Sequence, residues 1–227
     1  MSTLADYFAF AKAHPEQFVN PPGGSFTILL DEAEIQETES QAAQKLQAQG
    51  LPVEWACVGI VYQDQYVQLL RDAVRFPDGS LGVCTRWGGE QGTPGVAVLP
   101  FYQGQVLLIR HFRHELRTWD LEVIQGFGIP GLSSEECARK ELEEEIGATA
   151  SRLVPLGRVY PDTVWGADYV ELFYAEVESY GELEAQEGIT DLLLTSVSEL
   201  ERLIREREVT NVFLLVAYSR AKLQGLL

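Results

Sequence analysis

The sequence predicts an α+β fold on the basis of three features. Strand-like segments separated by short turn sequences follow one another between residues 57 and 112. A glycine-rich loop then leads into a helical pattern at residues 133–147. Further strand-like and helical segments continue up to residue 223. A chain of 227 residues with 46% apolar side chains can bury the core that such a fold needs.

The chain is predicted to divide into an N-terminal extension at residues 1–52 and a main domain at residues 53–227. Residues 4–11 and residues 31–49 have helical composition, and residues 26–30 predict a short strand between them. No residue pattern in this extension indicates chemistry.

After the extension, the period of the sequence changes to that of strands. The last two strand segments contain apolar runs that suit strands covered on both faces, and they are close enough to form a hairpin. Five strands are predicted here: Cys57–Tyr62, Tyr66–Phe76, Leu81–Arg86, Val96–Phe101 and Gln105–Phe112.

A loop and a short helix form the next part of the chain. The loop Gly126–Gly131 contains three glycines and a proline, which suits tight turns with positive φ angles. Ser133 and Glu136 have the spacing of a capping box, and Gly147 is placed to end the helix. One stripe of this helix is expected to be buried: Ala138, Leu142 and Ile146.

Three glutamates of this helix share a neighbouring face, because Glu141, Glu144 and Glu145 stand at positions i, i+3 and i+4. Like charges at this spacing repel by roughly 0.2–0.5 kcal/mol per pair on an exposed helix. A hard divalent cation would convert the repulsion into ligation, since Mg²⁺ takes carboxylate oxygens. The alternative is a solvated acidic face with no ligand.

The segment resembles the Nudix box, whose signature is G-x5-E-x7-R-E-U-x-E-E-x-G-U, where U is a bulky aliphatic residue. With Gly126 as the first glycine, five later positions match: Glu141, Leu142, Glu144, Glu145 and Gly147. The resemblance implies that Glu141, Glu144 and Glu145 are catalytic residues that hold Mg²⁺, with Mn²⁺ as the alternative ion.

Three positions depart from the signature. Leu132 replaces its first glutamate, Lys140 replaces its arginine, and the small Ala148 replaces its last aliphatic residue. In the family that glutamate and arginine chiefly pair with each other, so their joint replacement leaves the metal-binding glutamates in place.

The segment before the box carries a further resemblance. Its pattern R-x-F-R-H at residues 110–114, followed by W-x-x-E, is similar to the ADP-ribose pyrophosphatase branch of the family. That resemblance spans about Trp55 to Leu203 and implies that Arg113 and Glu122 contact the substrate. The alternatives are surface ion pairs of Arg113 with Glu115 or Asp120, and a strand-edge Glu122 paired with a nearby arginine.

The same branch implies two roles for other residues. Gln125 stands where the family offers a backbone carbonyl to the metal, and Pro161 matches a proline that helps to shape the adenosine pocket. Tyr160 and Trp165 can stack on a base, although core filling is the competing interpretation.

An acidic loop at residues 178–187 is expected to supply one more glutamate. The branch often places a glutamate just before the next strand, and Glu187 fits best as the residue that activates water, with Glu182 and Glu184 as rivals. Solvated loop charge is the alternative.

The remaining segments complete the predicted fold. Strands are expected at residues 153–159, 168–177 and 189–194, and a helix is expected to begin at Val197. A last helix runs to Leu223, and its sheet-facing side is predicted to comprise Val212, Leu215, Val216 and Ser219.

Composition excludes several classes of function. The net charge of −17 opposes sequence-independent nucleic-acid binding, which needs a basic surface. No apolar run approaches the ~20 residues that span a bilayer, and no signal-peptide pattern is present. Three scattered cysteines fit neither a disulfide framework nor a zinc site, so we expect a reducing cytoplasm.

Taken with the resemblance, these features predict a Nudix hydrolase with an α/β/α sandwich around a mixed sheet. The expected reaction is Mg²⁺-dependent cleavage of a nucleoside diphosphate linked to another moiety, with ADP-ribose giving AMP and ribose 5-phosphate. Alternatives are another sugar nucleotide, NADH or a dinucleoside polyphosphate as substrate, and a non-catalytic sensor that binds ADP-ribose. The branch also implies a homodimer formed through the N-terminal strands.

Overall fold

The computed structural model describes residues 4–65, 67–88, 93–181 and 188–227. It confirms the mixed α+β class and most of the predicted segments. Two short 3-10 helices, Pro15–Phe18 and Val53–Ala56, accompany the longer elements. These are α1 (Leu4–Ala13), β1 (Thr27–Leu29), α2 (Glu32–Ala48), β2 (Gly59–Gln63), β3 (Gln68–Arg75), β4 (Leu81–Gly88), β5 (Gly95–Tyr102), β6 (Gln105–Arg113), β7 (Thr118–Glu122), β8 (Ile124–Gly126), α3 (Ser134–Ile146), β9 (Thr149–Val159), β10 (Val170–Ser179), β11 (Ile189–Ser196), α4 (Val197–Arg205) and α5 (Val212–Leu223).

The chain forms two compact units. The first comprises residues 1–90 and 162–167, and the second comprises residues 91–161 and 168–227. Strand β1 of the predicted extension pairs antiparallel with β3, so it belongs to the same sheet as later strands. The predicted division after residue 52 stays a prediction.

The first unit contains a four-stranded sheet in which β3 pairs with β1, β2 and β4. A buried polar network ties α1 to this sheet. The Tyr7 hydroxyl donates to Oδ1 of Asp72 at 2.6 Å, and Nε of Arg86 donates to Oδ2 of Asp72 at 2.5 Å. Asp72 is buried, and these hydrogen bonds offset the cost of removing its carboxylate from water.

The second unit is built on a seven-stranded mixed sheet. Five strands lie in the order β11-β6-β5-β10-β9, while β7 pairs with β6 and β8 pairs with β5. Strands β5 and β10 run parallel, whereas the other pairs are antiparallel. The predicted hairpin of β5 and β6 is confirmed by the pairs Phe101–Val106 and Tyr102–Gln105. The apolar runs at residues 96–99 and 106–109 are buried, as expected for central strands.

Two hydrophobic clusters cover the two faces of this sheet. Ile109 of β6 packs in a cluster with Leu142 of α3, whereas the adjacent Leu108 packs with Leu214 of α5. Because side chains alternate along a strand, helices lie on both faces. The predicted α/β/α sandwich is therefore confirmed for the second unit.

The predicted sheet-facing side of α5 is wrong at Val212 and Ser219, whereas Leu215 and Val216 are partly buried against the cluster on the sheet. The structure buries Leu214, Ala217, Tyr218 and Ala221, whereas Val212 is 41% exposed and Ser219 is exposed. The sequence VFLLVAYSRAKL is apolar on nearly every side, so its periodicity does not select one face. No helix among the described residues is both long and apolar enough to cross a membrane.

Candidate active site

The acidic helix α3 begins and ends as the sequence predicts. The Ser133 side chain accepts a hydrogen bond from the Glu136 backbone at 3.2 Å, and the Glu136 carboxylate accepts one from the Ser133 backbone at 2.7 Å. Gly147 ends the helix in the left-handed conformation, with φ of 57°. The stripe Ala138, Leu142 and Ile146 is fully buried, so the position of the helix on the sheet is fixed.

The carboxylate of Glu141 lies directly against the backbone of Gly126. A Cβ atom added at Gly126 would stand 2.0 Å from Cδ of Glu141 and 2.1 Å and 2.3 Å from its two oxygens. Only glycine leaves room for this arrangement. The first glycine of the box therefore forms a cradle for the first matched glutamate.

The other two glutamates have different surroundings. Glu145 is only 4% exposed, and its negative charge acts on Arg113. Glu144 is exposed and forms an ion pair with Lys140 one turn earlier on the helix. Across the parts of the chain that the structure describes, no three acidic, histidine or cysteine side chains are grouped as a metal site.

A buried carboxylate, Glu122 at the end of β7, organises the strand side of the site. Glu122 is 1% exposed and accepts hydrogen bonds from Nε and Nη2 of Arg113 at 2.9 Å and 2.5 Å. The side-chain amide of Gln125 donates to Oε2 of Glu122 at 2.7 Å, and Nδ1 of His111 lies 3.7 Å from the same oxygen. Arg113 thus pairs with Glu122, as the alternative interpretation of Glu122 expected, and not with Glu115 or Asp120.

The strand register explains this network. Strand β7 pairs with β6, and Ile109 stands opposite Glu122. His111 and Arg113 follow Ile109 at intervals of two, so all three point to the face that α3 covers. The sequence pattern contained this alternation, but His111 and the Gln125 side chain were not assigned to the site.

The guanidinium of Arg113 keeps its positive charge in this setting. Burial favours the neutral form, but the hydrogen bonds and negative charge of Glu122 outweigh it and raise the pKa of Arg113 above its ordinary value. Two of the guanidinium nitrogens are used by Glu122, and within the described part of the chain Nη1 has no hydrogen-bond acceptor. A fixed cation of this kind can bind a phosphate oxygen.

The segment before the loop forms two short strands. β7 pairs with β6, whereas β8 pairs with β5, so the chain changes partner at Val123. The change places Gly126 opposite Val96 on β5. In the loop that follows, Gly128 is equally constrained, because a Cβ there would stand 2.0 Å from the backbone oxygen of Thr93.

The remaining predicted residues are placed as follows. Pro161 is exposed after the end of β9, and Tyr160 is 45% exposed and packs on Tyr169 with ring centroids 5.8 Å apart. Trp165 is also about half exposed, so core filling is excluded for both aromatic residues. The predictions for Glu182, Glu184 and Glu187 lie outside the described residues.

Two of the three departures from the box, Leu132 and Lys140, have clear structural partners. Leu132 is partly buried against the hydrophobic cluster under α3, so apolar packing holds the loop at this position. The Lys140 ammonium donates to Glu144, and this hydrogen bond raises the pKa of Lys140. Contacts with neighbouring residues therefore accommodate Leu132 and Lys140 at these positions.

Comparison with known proteins agrees with this geometry. The NUDIX domain model matches residues 92–213. An ADP-ribose pyrophosphatase of Bacillus subtilis (strain 168) is 30% identical over 122 residues, a match covering 51% of this chain and 65% of that relative, less than two thirds of its length. The crystal structure of an ADP compounds hydrolase superposes with a TM-score of 0.64 at 19% identity, covering 75% of this chain and 95% of the other. The glycine cradle, the capped acidic helix, the sandwich fold and the match over more than half of the sequence together show that the chain belongs to the Nudix family.

Proposed function

We propose that this protein hydrolyses a nucleoside diphosphate linked to another moiety, with ADP-ribose giving AMP and ribose 5-phosphate. Water is added across one P–O bond of the diphosphate bridge, so that each product carries one phosphate. The observation that carries the proposal is the cradle of Glu141 on Gly126, on the face that also holds Arg113 and Glu122. The name of the Bacillus subtilis relative supports the choice of ADP-ribose.

The same residues are suited to a hard divalent cation. We propose Mg²⁺, or Mn²⁺ in its place, with Glu141, Glu144, Glu145 and the backbone carbonyl of Gln125 as ligands. Carboxylate and carbonyl oxygens are the donors that such ions prefer, and the missing Cβ at Gly126 leaves space beside Glu141. When bound, the ion would neutralise the diphosphate and lower the pKa of a bound water.

Arg113 is proposed to orient the diphosphate. Glu122 holds its guanidinium through two hydrogen bonds, so little side-chain freedom remains to be lost when substrate binds. The free Nη1 edge can then donate to a phosphate oxygen. Glu122 is itself proposed to contact the substrate, and Gln125 and His111 keep its carboxylate in position.

Three further assignments follow from the family resemblance. Glu187 is proposed to take a proton from the attacking water, and Pro161 to shape the pocket for the nucleoside. We also propose a homodimer in the cytoplasm, with the N-terminal strands at the contact.

Product identification tests the proposal. The protein is incubated with Mg²⁺ and a panel of ADP-ribose, other sugar nucleotides, NADH and dinucleoside polyphosphates, and the products are identified by mass spectrometry. ADP-ribose is expected to give AMP and ribose 5-phosphate at the highest rate. Faster turnover of another compound would replace the substrate assignment, and binding of ADP-ribose without any turnover would favour the sensor.

A matched pair of variants tests the site. Glu145→Gln removes a buried charge of α3, whereas Glu143→Gln makes the same change at an exposed position of the same helix. We expect the first variant to lose at least a hundredfold in kcat and the second to keep the wild-type rate. Equal rates in two folded variants would refute the assignment of Glu145.

A further inference from the structure

A second concave site lies in the second unit, apart from the acidic helix. It is a cleft of about 700 Å³ between the ends of β6, β7 and β11, the helix α4 and the segment after it. Its volume falls within the range of about 300–1,000 Å³ that small-molecule sites occupy. Of the residues proposed above for hydrolysis, none that the structure describes lines it.

The alternation of β6 separates the cleft from the candidate active site. Leu108 packs in the cluster with α4 and α5, whereas Ile109 packs in the cluster with α3. Arg110 therefore lies on the face of Leu108, and Arg113 on the face of Ile109. Arg110 and Arg113 are three residues apart and therefore lie on opposite faces of one sheet.

The acidic groups of the cleft already have partners. Glu199 and Glu208 form ion pairs with Arg202 at 2.7 Å and 3.0 Å. The carboxylate of Asp120 accepts hydrogen bonds from the Thr210 hydroxyl at 2.8 Å and the Leu121 backbone at 3.0 Å. Their negative charge is therefore partly compensated within the protein.

Arg110 differs from these groups, because it makes no ion pair or hydrogen bond with another residue that the structure describes. An available guanidinium inside a cleft is a ready partner for a carboxylate or a phosphate, which it can bind through two parallel hydrogen bonds. In a chain of net charge −17, acidic side chains outnumber basic ones, so an arginine that has no acidic partner among the described residues is unusual.

An apolar wall adjoins this cation. Trp119 is 46% exposed, lines the cleft and packs edge-on against Phe112 with ring centroids 5.4 Å apart. Leu121, which stands opposite Arg110 on β7, and Leu193, which stands opposite Leu108 on β11, also line the cleft. The contact with Phe112 holds the Trp119 side chain, whose exposed ring can stack on a planar ligand.

We infer that this cleft is a second ligand site, which takes a small organic anion whose carboxylate or phosphate binds Arg110 and whose planar part packs on Trp119. The inference goes beyond the proposed hydrolysis and does not depend on it. A nucleoside monophosphate and an aromatic carboxylate share the required chemistry.

Calorimetric titration of the full chain tests this inference. AMP and 1-naphthoate are the two probes that carry both parts, while adenosine lacks the anion and inorganic phosphate lacks the planar part. The titrations contain EDTA, so that divalent ions do not contribute to binding. At least one complete probe is expected to bind at least tenfold more tightly than both partial ones, and the better of AMP and 1-naphthoate identifies the preferred anion.

Three variants locate the binding. Arg110→Ala is expected to weaken the complete probe at least tenfold, with partial recovery in Arg110→Lys. Arg205→Ala makes the same change at an exposed position of α4 that does not line the cleft, and it should leave the affinity unchanged.

Two results would overturn the inference. These are no binding of either complete probe to the wild-type protein, and equal affinity of the wild type and Arg110→Ala. Failure of the proposed hydrolysis is seen separately, in the product panel with Mg²⁺.

Discussion

Substitution of Gly126 by alanine tests the cradle of Glu141 most directly. The added Cβ would stand 2.0 Å from Cδ of Glu141, whereas ordinary contact is about 3.5 Å, so the carboxylate must retreat by about 1.5 Å. A misplacement of about 1 Å in an active site can cost a factor of about 10² in rate. We therefore expect kcat to fall about a hundredfold, which corresponds to about 2.7 kcal/mol of activation free energy.

The fold should survive this change, because the displaced atoms are the far end of a flexible side chain. Steady-state kinetics with ADP-ribose and thermal unfolding of Gly126→Ala should accordingly separate activity from stability. Gly181→Ala is the matched control, since its Cβ would meet its nearest neighbour at an ordinary 3.6 Å. Gly128→Ala should instead destabilise the fold, because its Cβ meets the backbone of Thr93.

A double variant makes the test specific to Glu141. If Gly126→Ala acts by displacing this carboxylate, then Gly126→Ala with Glu141→Ala should be no slower than Glu141→Ala alone. Full activity of a folded Gly126→Ala protein would show that the position of Glu141 does not matter for turnover. Additive losses in the double variant would show that the glycine acts by another route.

Three further predictions concern stability and pH. Arg113→Ala leaves Glu122 buried without its main cation and should lower the free energy of unfolding, measured in urea, by about 2 kcal/mol. Arg139→Ala breaks an exposed ion pair and should lower it by less than about 0.5 kcal/mol, and equal losses would contradict the buried network. Ser133→Ala removes the helix cap and should cost about 1 kcal/mol in the same assay; an unchanged midpoint would refute the role of the cap. Burial raises the pKa of Tyr174 from 10.0 to about 12, so the free energy of unfolding should fall as pH rises from about 10 to 12. Tyr174→Phe should show a shallower fall, and identical dependences of the unfolding free energy on pH would contradict the shift.

Several elements follow from residues that are neighbours in the sequence. The helix α3 begins and ends where Ser133, Glu136 and Gly147 predict, because capping depends on groups within one turn of the chain. The hairpin of β5 and β6 is another example, since two short strands with a tight connection pair locally. The match to the Nudix box rests on the same kind of information.

Other features depend on contacts between distant residues. The side of α5 that faces the sheet could not be read from a helix that is apolar almost all round. The choice of Glu122 as the partner of Arg113 required the register of β6 against β7 and the change of partner at Val123. Neither is encoded in the spacing of charged residues alone.

The sequence by itself determined the acidic helix, its caps, the buried stripe beneath it and the family to which the chain belongs, because short-range backbone and side-chain chemistry specifies each of them. The tertiary structure decided that Glu141 rests on Gly126, that Arg113 is held by Glu122 and that Arg110 lies in a separate cleft. These three contacts depend on the face of the sheet to which each side chain points and on which strands are neighbours. Only the packed sheet fixes both.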